Sequence, residues 1–380
     1  MNYKAIQLFS QYMLPGGGGK IFSYIVLFLL AVMVFSCSFD AKKKAKGNGG
    51  TEILSGQTQE IPRLSGAVVC TYLAASGEMW FGTANDGIYR YNGHAFKKYT
   101  VNDGLCSNRV LAITSDEEQN IWLGTASGLC KFDGKKFTLV PIPWSGESTD
   151  WLKDKYPVVN PAEVMSVLIE RSGIFWLGTN GAGVFRYDGR AFTNFLSDAG
   201  QKMPDSLHHN IVPAISKDLQ GNIWFTSMSH AGAIRYDGKS FSQFLPADGL
   251  SDDMLRTCFV DKSGNIWFGC NGNRKSGLSY FDGNTFHTYP EEDGLCNKNI
   301  RSIYEDMQGN LWLGSGRGNL CLFDGHTFHE FKDQASRTFP GVLLIAGDSE
   351  GNTWFGGKYG LWKFDGNNTE QMLEAGQSNY

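Results

Sequence analysis

Seven tryptophans head the same short unit: Trp80, Trp122, Trp176, Trp224, Trp267, Trp312 and Trp354. Each is followed by an apolar residue and then by Gly or Thr, as in Trp122-Leu123-Gly124-Thr125 and Trp267-Phe268-Gly269-Cys270. Successive units lie 42 to 54 residues apart. A period in the forties, filled with short strands and tight turns, predicts one propeller blade per unit. The chain is therefore expected to be all-β, a seven-bladed β-propeller of four-stranded antiparallel blades.

Residues 107–140 show how one period reads. Alternating apolar positions around Val110 and Ala112 predict a first strand, and Asp116–Asn120 a turn. Ile121–Thr125 is the second strand, Leu129–Phe132 the third, Asp133-Gly134 a hairpin turn, and Lys136–Val140 the fourth. The columns hold along the chain. Val68, Val110, Val164, Val212, Leu255, Ile300 and Val342 share the apolar position of strand one. Asp116, Glu170, Asp218, Asp261, Asp306 and Asp348 share the turn acid, with Ala74 in the first blade. Strand three ends in an aromatic followed by Asp-Gly or Asn-Gly in all seven blades, and a Phe follows in six (Phe96, Phe137, Phe192, Phe241, Phe286, Phe328). Pro213, which cannot donate to a ladder, places strand one at the free inner edge. Closure is expected through face packing of blades one and seven, with Thr51–Ser55 available as an added edge strand.

These columns resemble the two-component regulator propeller repeat, whose pattern DGLxxNxVxxIxxDxxGNxWxGTxxGLxxYDGxxF is best met by Asp103–Phe137, Asp248–Phe286 and Asp293–Phe328. The resemblance covers about residues 62–374. It implies a periplasmic sensor propeller of the kind carried by membrane-bound hybrid histidine kinases, often tied to polysaccharide sensing. The sequence stops at Tyr380 without a span, kinase or DNA-binding domain, so phosphotransfer is not expected of it.

Before the repeats, residues 1–36 read as a lipoprotein signal peptide. Lys4 and Lys20 precede an apolar run from Ile21 to Phe35, too short for a membrane span and right for a signal core. Ser36-Cys37 resembles a lipobox, which implies acylation of Cys37. Residues 37–61 are polar and Lys-rich, a flexible tether; 62–374 form the propeller and 375–380 a tail. The net charge of −4 becomes −6 once residues 1–36, with two Lys and no acid, are removed. That balance excludes nucleic acid as a partner class.

The seven cysteines after Cys37 contain no Cys-x-x-Cys and are read as small buried hydrophobes, with Cys106 and Cys296 too far apart to bridge each other. The turns between strands one and two and between three and four share one face and are uniform, so their Asp residues are read as structural. The opposite face carries the irregular loops, where binding concentrates. Its candidates are Trp144, Trp151, Tyr156, His209, His230, Arg274, Arg317, Lys358 and Tyr359. A second set at the channel mouth is Asn108, Asn210, Asp253, Arg256, Lys298 and Arg301. Aromatic faces with Arg, Asn and His donors suit a glycan; a small anion is the other ligand that suits the mouth. No cofactor or metal is called for. The reading is a lipid-anchored envelope protein, facing periplasm or cell surface, that binds a glycan or an envelope protein without catalysis. The alternatives are an interaction scaffold for a membrane sensor or transporter, and a lyase or glycosidase using Glu163, Asp253 or His209.

Overall fold

One carboxylate sets the first turn of six of the seven blades. Asp348 accepts the backbone N–H groups of Glu350 and Asn352, the Asn352 amide, and the indole Nε1 of Trp354 at 2.7 Å. Asp116, Asp218, Asp261 and Asp306 bind Trp122, Trp224, Trp267 and Trp312 in the same way. Glu170 reaches Trp176 at 2.7 Å. Blade one has Ala74 at this position, and there the Trp80 Nε1 is buried without an acceptor. The Asp-Gly turn on the same face is a second local device. Asp133 accepts from the N–H groups of Lys135 and Lys136, and the aromatics on either side of the turn stack, Phe132 on Phe137 at 4.5 Å.

These turns fold seven antiparallel sheets in the computed structural model, which describes residues 62–143, 159–196, 210–271 and 277–376, with the backbone of 51–54. Residues 1–50 and 55–61, on which the signal-peptide, Cys37 and tether readings fall, lie outside the described residues. The first strands are Val68–Leu73, Val110–Ser115, Asn160–Ile169, Ile215–Lys217, Leu255–Val260, Ile300–Glu305 and Val342–Gly347. Each touches the first strand of the next blade, and the last touches the first, so strand one is innermost. Pro213 lies just before its strand, which is thereby cut to Ile215–Lys217.

Blades meet through the apolar column, all seven members of which are 0% exposed. The Gly two residues after Trp makes room for it. A Cβ on Gly178 would stand 2.4 Å from the Val212 carbonyl oxygen of the following blade. Farther out, each Trp lies against an aromatic of the next blade, such as Trp122 on Phe175 at 4.7 Å and Trp354 on Phe81 at 5.3 Å. Burying side chains of this size stabilises by about 2–3 kcal/mol each.

Two expectations need correction. Closure does trade a strand: Arg63–Leu64 pairs in parallel with Thr369–Ala375 at the outer edge of blade seven, and Gly376 donates to the Leu64 carbonyl. Two residues carry no periodicity, so this strand leaves no sequence signal. Thr51–Leu54 does add to blade one, antiparallel to Ala95–Tyr99, which takes those residues out of the tether. The last strand runs through Ala375, so the tail begins after it.

The second correction concerns the cysteines. Cys106 bridges Cys130, and Cys296 bridges Cys321. In each case the loop entering a blade is tied to that blade's third strand. Blade five holds Ser251 and Ser279 at the same two places, joined by a hydrogen bond of 3.0 Å. Cys70, Cys258 and Cys270 remain free, and burial raises each thiol to about 12, as expected of inert packing residues.

Replacing Asp348 by Ala strands the buried Trp354 indole N–H, and is expected to cost about 1–3 kcal/mol in a urea melt. Burial raises the Asp116 and Asp348 carboxyls, but hydrogen bonds from the Trp and Asn donors outweigh it and hold both below the ordinary 3.8. A depressed folded value stabilises above that pH and is lost below it. Melting temperature should therefore fall as pH drops below about 4, and less so in Asp348→Ala.

Candidate functional site

An inner strand enters its blade on the irregular face, and there it carries one residue too many. The pairing with strand two skips Val69, Leu111, Met165, Arg256, Arg301 and Leu343, the residue after the buried column in six blades. Such a bulge releases a residue from the ladder and re-aims its side chain. Blade four has Pro213 at that place, ahead of the first pairing at Ile215. The channel mouth is thus ringed by bulged positions, apolar in blades seven, one, two and three, and cationic in blades five and six.

The two bulge arginines are held by amides. Arg256 Nε donates to Asn271 Oδ1 at 2.9 Å, and Arg301 Nε to Asn299 Oδ1 at 3.0 Å. Asn299 in turn donates through Nδ2 to the Asn271 carbonyl. The turn between strands two and three of blade six brings Arg317 beside them. Burial first, and then the charges of Arg301 and Arg317, pull Arg256 down to about 9; burial and Arg317 lower Arg301. No ion pair reaches any of the three among the described residues.

Next round the rim, between blades seven and one, a cleft of about 550 Å³ is lined by Ala67, Val69, Leu343, Lys358, Tyr359 and Gly376. Tyr359 is 54% exposed there. A third group lies in blades four and five. His230, at a φ of +68°, meets Asp253 with 3.0 Å between Nδ1 and Oδ1. Beside it Asp252 is buried with Oδ2 unpartnered, and burial first, then Asp253, raises its carboxyl.

The structure therefore joins Arg256, Arg301 and Arg317 in one group, Lys358 and Tyr359 in a second, and His230 with Asp253 in a third. Asn108 Oδ1 accepts from the Val101 backbone, and Lys298 pairs with Glu291 at 2.7 Å. The Asn108, Asn210 and Asp253 carbonyls each accept a glycine N–H from the preceding blade's turn, so this column first serves to seat the entry loops. Glu163 is buried between Arg109 and Asn180. Trp144, Trp151, Tyr156, His209 and Arg274 lie outside the described residues. The sequence reading missed the apolar arc of the mouth, Asn271, Asn299 and Asp252; the residue following each buried column position was the available signal.

Removing Glu163 leaves a buried amide and a guanidinium without their acceptor. Glu163→Ala should lose about 1–3 kcal/mol of stability in a denaturant titration, and Glu163→Gln less.

The family model of the two component regulator propeller matches residues 104–127 and 294–317. Histidine kinase P4 of Formosa agariphila is 27% identical over 162 residues, which are 39% of this chain and 11% of the kinase. The extracellular domain of a hybrid two component system from B. thetaiotaomicron superposes with a TM-score of 0.65 at 22% identity, covering 83% of this chain and 41% of that one. Virginiamycin B lyase from Staphylococcus aureus superposes at 0.52 with 16% identity, covering 71% and 85%. The superpositions establish the fold. The chain spans about a tenth of the kinase and about two fifths of the extracellular domain. Among the described residues no helix is long and apolar enough to cross a membrane.

Proposed function

We propose, for a chain built on two-component regulator propeller repeats, a sensor-type binding role in the cell envelope, with a glycan received at the irregular face. The protein is held to the membrane by a lipid on Cys37, and the propeller recognises its ligand without altering it. One observation carries the reading: the Lys358–Tyr359 cleft, open at the blade seven–one seam and continuous with the apolar side of the mouth. An exposed tyrosine face offers a sugar its CH surface to stack on, and the lysine and the cleft's backbone groups offer hydrogen bonds. The two disulfides agree with an oxidising compartment outside the cytosol.

An enzyme is the second reading, favoured by His230 against Asp253 with the raised Asp252 alongside. A lyase needs a histidine base oriented by a carboxylate, and this pair has that form. The fold shared with virginiamycin B lyase adds nothing to it, because propellers host many functions. An envelope-protein partner on the same face is the remaining alternative.

A thermal-shift panel of neutral and acidic oligosaccharides tests the first reading. A ligand present at a hundred times its dissociation constant should stabilise by about 2.7 kcal/mol. Tyr359→Ala should abolish the shift without altering the unliganded melt; a panel with no shift sinks the glycan assignment. Turnover of a panel member, lost in His230→Ala, would establish the enzyme instead. Cys37→Ser should move the protein from the membrane fraction to the soluble one.

A further inference from the structure

Several arginines of this chain pair with carboxylates, while the half-buried Arg235 lies over the Trp224 and Phe244 rings and reaches Ser242. Arg90 pairs with Glu78, Arg109 with Glu163, Arg337 with Asp333 and Arg63 with Glu374. Arg256, Arg301 and Arg317 have neither a carboxylate partner nor an aromatic ring beneath them among the described residues, and they stand at one spot. Asn271 and Asn299 hold the Nε of the two bulge arginines through neutral oxygens, which fix the guanidinium planes and leave their charge unmet. No hydrogen bond from an Nη atom of the three is present among the described residues. Arginine keeps its proton at neutral pH, so the half-buried charges of Arg256 and Arg301 stand together beside the exposed Arg317 and repel. Packing alone would not select such a group, because neutral side chains of the same length fill the space without the repulsion.

We infer that Arg256, Arg301 and Arg317 form an oxyanion subsite at the channel mouth, and that the ligand is an acidic saccharide presenting a carboxylate or sulfate ester to it. This rests on the glycan reading above and narrows it. Planar guanidinium forks bind such oxyanions through paired N–H donors. The saccharide follows from adjacency. Passing from blade five to six to seven to one, the rim presents Arg256, then Arg301 and Arg317, then Leu343 with Lys358 and Tyr359, then Val69. A ligand with its charge on blades five and six therefore lays its body toward the cleft.

Calorimetry of the full-length protein with inorganic sulfate, a galacturonate tetramer and neutral maltotetraose, at two salt concentrations, tests this. The galacturonate should bind, more weakly in high salt, with sulfate competing. Arg256→Met and Arg301→Met should each weaken it at least about tenfold, while the unliganded melting temperature holds or rises. Arg317→Met, on an exposed turn, should weaken it too and does not threaten folding; Arg171→Met on the opposite face should do nothing. If Arg301→Met lowers the unliganded melt and leaves galacturonate affinity intact, the arginines are structural and the inference is wrong. Equal binding of maltotetraose by wild type and variants would keep the glycan reading and remove the oxyanion subsite. Sulfate binding alone, with neither saccharide, would overturn the saccharide ligand together with the reading it rests on.

Discussion

The structure depends on a contact between a carboxylate and an indole. Each blade must bury a tryptophan against its neighbour, and a buried indole N–H without an acceptor is costly. The turn acid supplies the acceptor from the same blade, six residues earlier in the chain. One residue thereby closes the turn, satisfies the ring nitrogen and fixes the ring's tilt toward the next blade. The contacts run unbroken from Trp80 on Phe132 to Trp354 on Phe81, which completes the circle. Trp80 lacks its acid and keeps an unpaired indole N–H; like Trp122, Trp224 and Trp354 it has a cation over its ring, the Arg90 guanidinium at 5.4 Å.

That division of labour separates the two faces. The acids of the uniform face are spent on turns: Asp237 and Asp324 are held near 2 by backbone N–H donors, and none of these groups is left to serve a ligand. The other face is free of this duty. Its loops enter blades through carbonyl–amide contacts, which tolerate changes in side chain, and in two blades through disulfides. Charge unmatched by a partner gathers there, at the bulge arginines.

The repeat was legible because its signals are local. A Trp, an acid and an Asp-Gly pair each act within a few residues, and a fixed period multiplies them. The ring of seven and the innermost place of strand one followed from those signals. What the sequence concealed needed three-dimensional register. Cys106 and Cys130 are 24 residues apart and Cys296 and Cys321 are 25 apart, a matched spacing whose meaning appears only when the entry loop lies over strand three. Arg256 and Arg301 were visible as one column, but Arg317 joins them from a different loop. The His230–Asp253 pair likewise spans two blades. A bulge is invisible to alternation, since one surplus residue changes no composition.

The surplus residue in six of the inner strands, with Pro213 at that place in the seventh, stands outside the ladder. Substituting it leaves the ladder's pairing intact, so this collar of positions can vary while the scaffold stays fixed. Val, Leu, Met, Pro, Arg, Arg and Leu occupy that collar in this chain. Related rings with other residues there would accept chemically different guests on the same frame, and the seven-letter word read off those positions would sort them by preference before any ligand is known.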